Sequence, residues 1–214
     1  MEKFVTLNFK KEEDTMKKYG IEVEYFVEKD GEIQIIPNLN LGLATDEFPV
    51  LGEVRSYIRD AAYLAVADIK WQWLEIHDRL EGRGLKLSQI CSTKLTDKIY
   101  KELMKVDFHK GGMKEENLYG KTKKVNLRLI TAGTHIHFSD GTEVGKEEKH
   151  IVYKQLDIPK MVRQLDHRFQ EEIIAAYRQI GWYELKEHGF EYRSLPGTIN
   201  LDDLSLFVQY NFKW

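Results

Sequence analysis

One cysteine, Cys91, occurs in 214 residues, so the chain cannot close an internal disulfide and its stability has to come from packing. A lone thiol fits a reducing compartment, and its setting, "LKLSQIC", reads as that of a small buried hydrophobe rather than a nucleophile. Only four prolines are present, and no Ser/Pro-rich run, internal repeat or low-complexity block marks a domain boundary. No stretch approaches the roughly 20 apolar residues that a membrane-spanning helix needs. The opening "MEKFVTLNFKKEEDT" lacks the basic-then-apolar pattern of a secretory signal. Neither charge dominates: 32 Lys plus Arg face 35 Asp plus Glu, which excludes binding of nucleic acid or membrane by bulk charge and leaves only local recognition. The expectation is a single cytoplasmic domain over 1–214 with no membrane partner.

What is present is a mixture of alternating and helical patterns. "GIEVEYFVEKDGEIQII" (20–36) alternates and turns at Lys29-Asp30-Gly31, the signature of a hairpin. Apolar residues at helical spacing predict a long helix from Tyr57 to about Leu80, stopped by "EGRG", and a second over 159–180, with Pro159 in its first turn and Gly181 past its end. "LKLSQIC" (85–91) reads as a strand, and "TDKIYKELMKV" (96–106) as a short helix capped by Thr96. A basic loop, 107–124, follows. "VNLRLITAGTHIHFSD" (125–140) is extended chain interrupted at Gly133, where a bulge or a close backbone approach is expected. "FEYRSLP" (190–196) is a strand, and "LDDLSLFVQY" (201–210) a terminal helix with Asp202 and Asp203 at its positive end. Hairpins and long helices without regular βαβ alternation predict α+β, with a mostly antiparallel sheet covered on one face by the two long helices.

The candidate site comes from charge placed where strands disfavour it. Residues two apart on a strand share a face. Glu22 and Glu24 therefore pair in "GIEVEYF", as do Glu53 and Arg55 in "LGEVRSY", His135 and His137 in "THIHF", and Glu191 and Arg193 in "FEYRSL". Taken singly, each pair is an ordinary solvated strand face, with salt bridges worth about 0–1 kcal/mol. Taken together, four segments repeat one pattern, and a sheet with one helix-covered face sends all of them to the other. Carboxylates gathered there repel one another unless cations compensate. An oxygen-rich set with an imidazole suits Mg²⁺ or Mn²⁺, and forked arginine donors at its rim suit phosphate or carboxylate.

"GIEVEYF", "TAGTHIHFS" and "FEYRSLP" resemble, in the same order, three signatures of the glutamine synthetase and glutamate–cysteine ligase superfamily. The nearest variant is the phage-type COOH–NH2 ligase (amidoligase, type 2) group, whose further Asp…Glu-x-Arg element "ATDEFPVLGEVR" (44–55) resembles. The resemblance implies an open barrel or funnel of glutamine synthetase catalytic-domain type. It also implies an ATP- and Mg²⁺-dependent ligase that forms an amide or peptide-like bond through an acyl phosphate. Carried over by position, Glu24 and Glu53 correspond to ligands of one metal, and Glu22, His135 and Glu191 to ligands of the metal beside the γ-phosphate. His137 corresponds to a contact with ATP phosphates. Arg193 corresponds to the group that neutralises the transferring phosphoryl or binds the substrate carboxylate, and Arg55 to a phosphate or substrate contact. Thr134 departs from the glycine common before H-x-H in this group.

Phosphoryl transfer needs positioning and charge neutralisation more than covalent help, so no nucleophilic Ser or Cys is required. Competing readings are a guanidino-kinase-like phosphotransferase on the same fold, a metal hydrolase using both histidines, and a catalytically inert virion or binding protein. The excess of Glu and His over Arg favours the ligase over the kinase. His77, His109, His150, His167 and His188 are expected on surfaces or helices, and oligomerisation is open.

Overall fold

The computed structural model describes residues 17–46, 48–104, 115–122, 128–139, 156–186 and 189–212. Eleven strands and four α-helices follow in order: β1 (Lys18–Tyr25), β2 (Val27–Lys29), β3 (Glu32–Ile33), β4 (Gly52–Arg55), α1 (Ala62–Leu80), β5 (Lys86–Leu87), β6 (Ser92–Lys94), α2 (Asp97–Leu103), β7 (Glu115–Asn117), β8 (Leu129–Thr131), β9 (Gly133–Ser139), α3 (Ile158–Ala175), β10 (Trp182–Lys186), β11 (Gly189–Pro196) and α4 (Leu201–Asn211). A six-stranded sheet in the order β4-β1-β9-β11-β10-β7 is antiparallel throughout. Two small antiparallel sheets, β3-β2-β5 and β6-β8, stand beside it. The protein is thus α+β, and among the described residues its sheet does not close into a barrel. None of the described helices is long and apolar enough to cross a membrane.

Alternation on β1 decides which face is covered. Tyr19, Ile21 and Val23 are buried together with Ile136 and Phe138 of β9 and Phe190 and Tyr192 of β11. Phe138 stacks on Phe190 at 4.9 Å and meets the ring edges of Tyr19 at 6.1 Å and Phe212 at 5.4 Å. α1 packs on β1 and β4, α3 on β11, and α4 against α1. Three helices therefore cover this face, where the sequence predicted two. α4 joins them because Leu204, Val208 and Phe212 continue the core.

Local chemistry sets several boundaries as expected. Asp30 and Gly31 both have positive φ, 51° and 81°, as a two-residue hairpin turn requires. Thr96 caps α2 by accepting from the amide of Ile99 at 3.3 Å, and Asn200 caps α4 by accepting from Asp202 and Asp203 at 3.0 and 3.2 Å.

Other boundaries shift. α1 starts at Ala62 rather than Tyr57, because Ser56 and Arg59 first bond back to β1: the Ser56 amide donates to Ile21 O at 2.8 Å and the Arg59 amide to Tyr19 O at 2.9 Å. The segment 85–91 is a strand only over Lys86–Leu87. The 125–140 run divides between two sheets, β8 pairing with β6 and β9 with β1 and β11. α3 ends at Ala175, and Tyr177, with φ 58°, turns the chain toward β10. β7 and β10 were not read from the sequence, β7 lying within the loop predicted at 107–124. His109, His150, His188 and most of that loop, including Lys110, Gly111, Gly112, Lys123 and Lys124, lie outside the described residues. His77 and His167 are exposed on α1 and α3.

Beneath β11, the buried Asp166 of α3 accepts from Tyr192 Oη at 2.6 Å, Tyr119 Oη at 2.9 Å and the Gly181 amide at 2.9 Å. Burial and then this carboxylate push the Tyr119 hydroxyl up to about 12 and that of Tyr192 well above its ordinary value.

Candidate metal and anion site

Register brings the charged residues of four strands to one face. On β1, Glu22 lies between Arg55 of β4 and His135 of β9, and Glu24 lies opposite Glu53. His137 stands between Gly20 and Glu191, and Glu191 faces Glu184 of β10. All eight residues singled out from the sequence, Arg193 included through its ion pair with Glu191, therefore meet on the face that the helices leave uncovered. Thr134 does not: it is one residue out of phase, fully buried on the helix side, so its departure from glycine does not alter the cluster.

His135 is buried, 4 % exposed, with Nδ1 3.2 Å from Glu191 Oε1 and 3.7 Å from Glu22 Oε2, and Nε2 3.9 Å from Glu24 Oε1. Burial disfavours its imidazolium, but the charge of Glu24 and the hydrogen bonds to Glu191 and Glu22 prevail and raise its pKa. Its two ring nitrogens thus stand within 4 Å of three carboxylates. Nε2 of His137 approaches Glu22 Oε1 at 3.4 Å. Burial pushes the Glu22 carboxyl up, yet the hydrogen bonds of His135 and His137 and the charge of Arg55 hold it well below the usual range. In Glu191 the same opposition, burial against His135, Arg193 and His137, ends at about 2. Glu53 goes the other way: burial and the charges of Glu22 and Asp46 outweigh Arg55 and raise it.

Cations bracket the acidic row. Arg55 Nη2 lies 2.7 Å from Glu53 Oε2, and its Nε lies 3.4 Å from Glu22 Oε1; most of its side chain faces solvent. At the other side Arg193 Nη1 lies 2.5 Å from Glu191 Oε1 and 3.6 Å from Glu184 Oε2. Lys186 Nζ bridges Glu191 Oε2 at 2.7 Å and Glu184 Oε2 at 2.9 Å. Glu184 and Lys186 escaped the sequence reading, although "WYELKEHGFEYRSLP" carries the signal: an E-x-K alternation, a turn at glycine, then the E-x-R strand.

Glu22, His137 and Glu191 each offer a ligand atom within 4.8 Å of the others. Two oxygens bound to one Mg²⁺ at about 2.1 Å stand at most about 4.2 Å apart, so small side-chain rotations bring this set within octahedral reach. The donor chemistry fits a hard divalent ion. In this arrangement His137 joins Glu22 and Glu191, whereas the resemblance gives that place to His135. His77, Asp78 and Glu81 form a second such group, but it is wholly exposed.

Gly133 is where the backbone approaches the site. Its amide donates to Glu24 Oε2 at 2.5 Å, and a Cβ there would fall 2.6 Å from Arg178 Nη2. That guanidinium is fixed by Arg193 O at 2.5 Å, Ser194 O at 3.1 Å and Thr131 Oγ1 at 3.2 Å. Gly133→Ala is expected to cost about 1–3 kcal/mol by overpacking, lowering the melting temperature by roughly 2–12 °C at 2–4 °C per kcal/mol. An unchanged thermal melt would show that Arg178 yields freely.

Cys91 stands apart from the cluster, lining a 430 Å³ cavity with Phe169, Glu172, Pro196 and Asn200. No protein-family model matches the chain, and no curated protein matches it.

Proposed function

We propose that the chain is an ATP- and Mg²⁺- or Mn²⁺-dependent carboxylate–amine ligase of the phage amidoligase type, built on a sheet of glutamine synthetase kind. The observation that carries this reading is the convergence of Glu22, Glu24, Glu53, Glu191, His135 and His137 on one sheet face, with arginines on both sides of the row. Glu22, His137 and Glu191 would hold a divalent ion, and Glu24 with Glu53, paired across β1 and β4, a second. A bound ion neutralises charge on a transferring phosphoryl group. Arg55, exposed at the rim, is placed to meet an incoming anion. Arg193 and Lys186 now spend their charge on Glu191 and Glu184, and a metal on Glu191 would release part of it toward a phosphoryl or substrate carboxylate. His135, with its ring nitrogens against Glu22, Glu24 and Glu191, would hold these carboxylates in place.

The test is incubation with Mg·ATP and pools of carboxylates and amines, following ADP release and the mass of a ligated product. An amide product is expected. ADP accompanied only by a phosphorylated acceptor would overturn the reading. Binding is tested separately: Mg·ATP at about 100 times its dissociation constant should add about 2.7 kcal/mol, a melting shift of roughly 5–11 °C for a chain of this size. Zn²⁺ producing the larger shift with Mg·ATP silent would point to hydrolase chemistry instead.

A further inference from the structure

α1 is apolar on two opposite faces. Ala62, Ala65, Val66, Ile69, Ile76 and Leu80 are buried against the sheet and α4. On the outside Leu64 is 40 % exposed, Trp71 66 % and Leu74 64 %, and with exposed Ala67 they recur at i, i+3, i+7 and i+10. Single exposed apolar side chains are ordinary on a protein surface. Four in register over three turns form the a/d seam of a two-stranded helical pairing. The patch widens through Tyr63, 59 % exposed, and Tyr57, 72 % exposed. Tyr57 is held beside the seam because its amide donates to Asp68, one turn from Leu64.

The flanking charges select the partner. With Leu64 and Trp71 at a and Ala67 and Leu74 at d, Lys70 occupies g and Glu75 occupies e. In a parallel pair each g residue meets the e residue five positions on in the other helix, so Lys70 meets Glu75 of the partner subunit, and two-fold symmetry repeats the contact. An antiparallel pair sets g beside g and offers Lys70 only Tyr63, Lys70 or His77. Lys70 Nζ presently lies 2.7 Å from Asp202, both half or more exposed, a surface pairing that exchanges readily.

We propose that this face of α1 is the interface of a homodimer in which two copies of the chain pair their α1 helices in parallel through Leu64, Ala67, Trp71 and Leu74. The wild-type chain is then expected to sediment as a dimer, and Trp71→Glu with Leu74→Glu as a monomer with an unchanged circular dichroism spectrum. Lys70→Glu should weaken dimerisation by about 3–10-fold, since it sets like charges opposite each other twice. Lys70→Glu combined with Glu75→Lys should restore it, and Asp202→Asn should leave it unchanged. These charge variants leave the apolar face intact, so the proposal stays testable if the double glutamate variant does not fold. A monomeric wild-type chain at its highest soluble concentration overturns it, as does a dimer indifferent to the Trp71/Leu74 pair or a charge swap that fails to rescue.

Discussion

Glu191→Gln is expected to reduce ADP release by about 10²–10³-fold, the range seen when one preorganised electrostatic group is removed from a site where charge develops. Glu191 is the most buried carboxylate of the cluster, 1 % exposed, and touches His135, Arg193 and Lys186 at once. Its replacement by the neutral amide keeps the volume and removes the charge on which Arg193, Lys186 and the His135 imidazole converge. The protein should also lose affinity for Mn²⁺, because one member of the Glu22–His137–Glu191 group becomes a weaker donor. An unchanged thermal melt beside the two losses would assign them to the site and not to folding. Full activity in Glu191→Gln would remove this residue from the site.

Asp166→Ala is expected to destabilise the fold by about 4 kcal/mol, since it strands the buried Tyr192 hydroxyl and the buried Gly181 amide, each costing about 1–3 kcal/mol when unpaired. For a chain of this length that is a fall in melting temperature of roughly 8–16 °C. Asp166→Asn keeps one acceptor and should cost less. The network also sets an alkaline limit. Burial and then Asp166 raise Tyr119 to about 12, and Tyr192 well above its ordinary value. A group with a raised folded pKa contributes stability that is complete below its unfolded value near 10 and is lost above it. Stability should therefore decline from about pH 10 upward, more steeply in the wild type than in Tyr192→Phe, as followed by melting at each pH. Equal slopes would place the alkaline sensitivity elsewhere.

The pairing of charges was legible because strand periodicity is strict: in "GIEVEYF" or "FEYRSL", alternate residues share a face whatever the sheet's topology. That the four pairs occupy one face of one sheet was an assumption of the sequence reading, and the β4-β1-β9-β11 order supplies it. Glu184 and Lys186 were missed because the sequence read helix as far as residue 180, close against β10, and "GWYELKEHG" reads ambiguously without its partner strand. The exposed face of α1 was missed for the opposite reason. A run apolar on two opposite faces shows helical spacing without showing which face the core takes.

By itself the sequence determined the α+β class, the hairpin at Asp30-Gly31, the cap at Thr96, the terminal helix with Asp202 and Asp203 at its positive end, and the residues that carry charge into strands. These are local consequences of turn sterics, hydrogen-bond donors at helix ends and a two-residue repeat. Only the tertiary structure decided that ligand atoms of Glu22, His137 and Glu191 come within 4.8 Å of one another while His135 Nδ1 stands 3.2 Å from Glu191 and 3.7 Å from Glu22, that Gly133 must be small because Arg178 lies against it, and that three helices close the core. Each depends on which side chains from distant segments meet and at what depth, and depth is set by packing between elements, which no single segment contains.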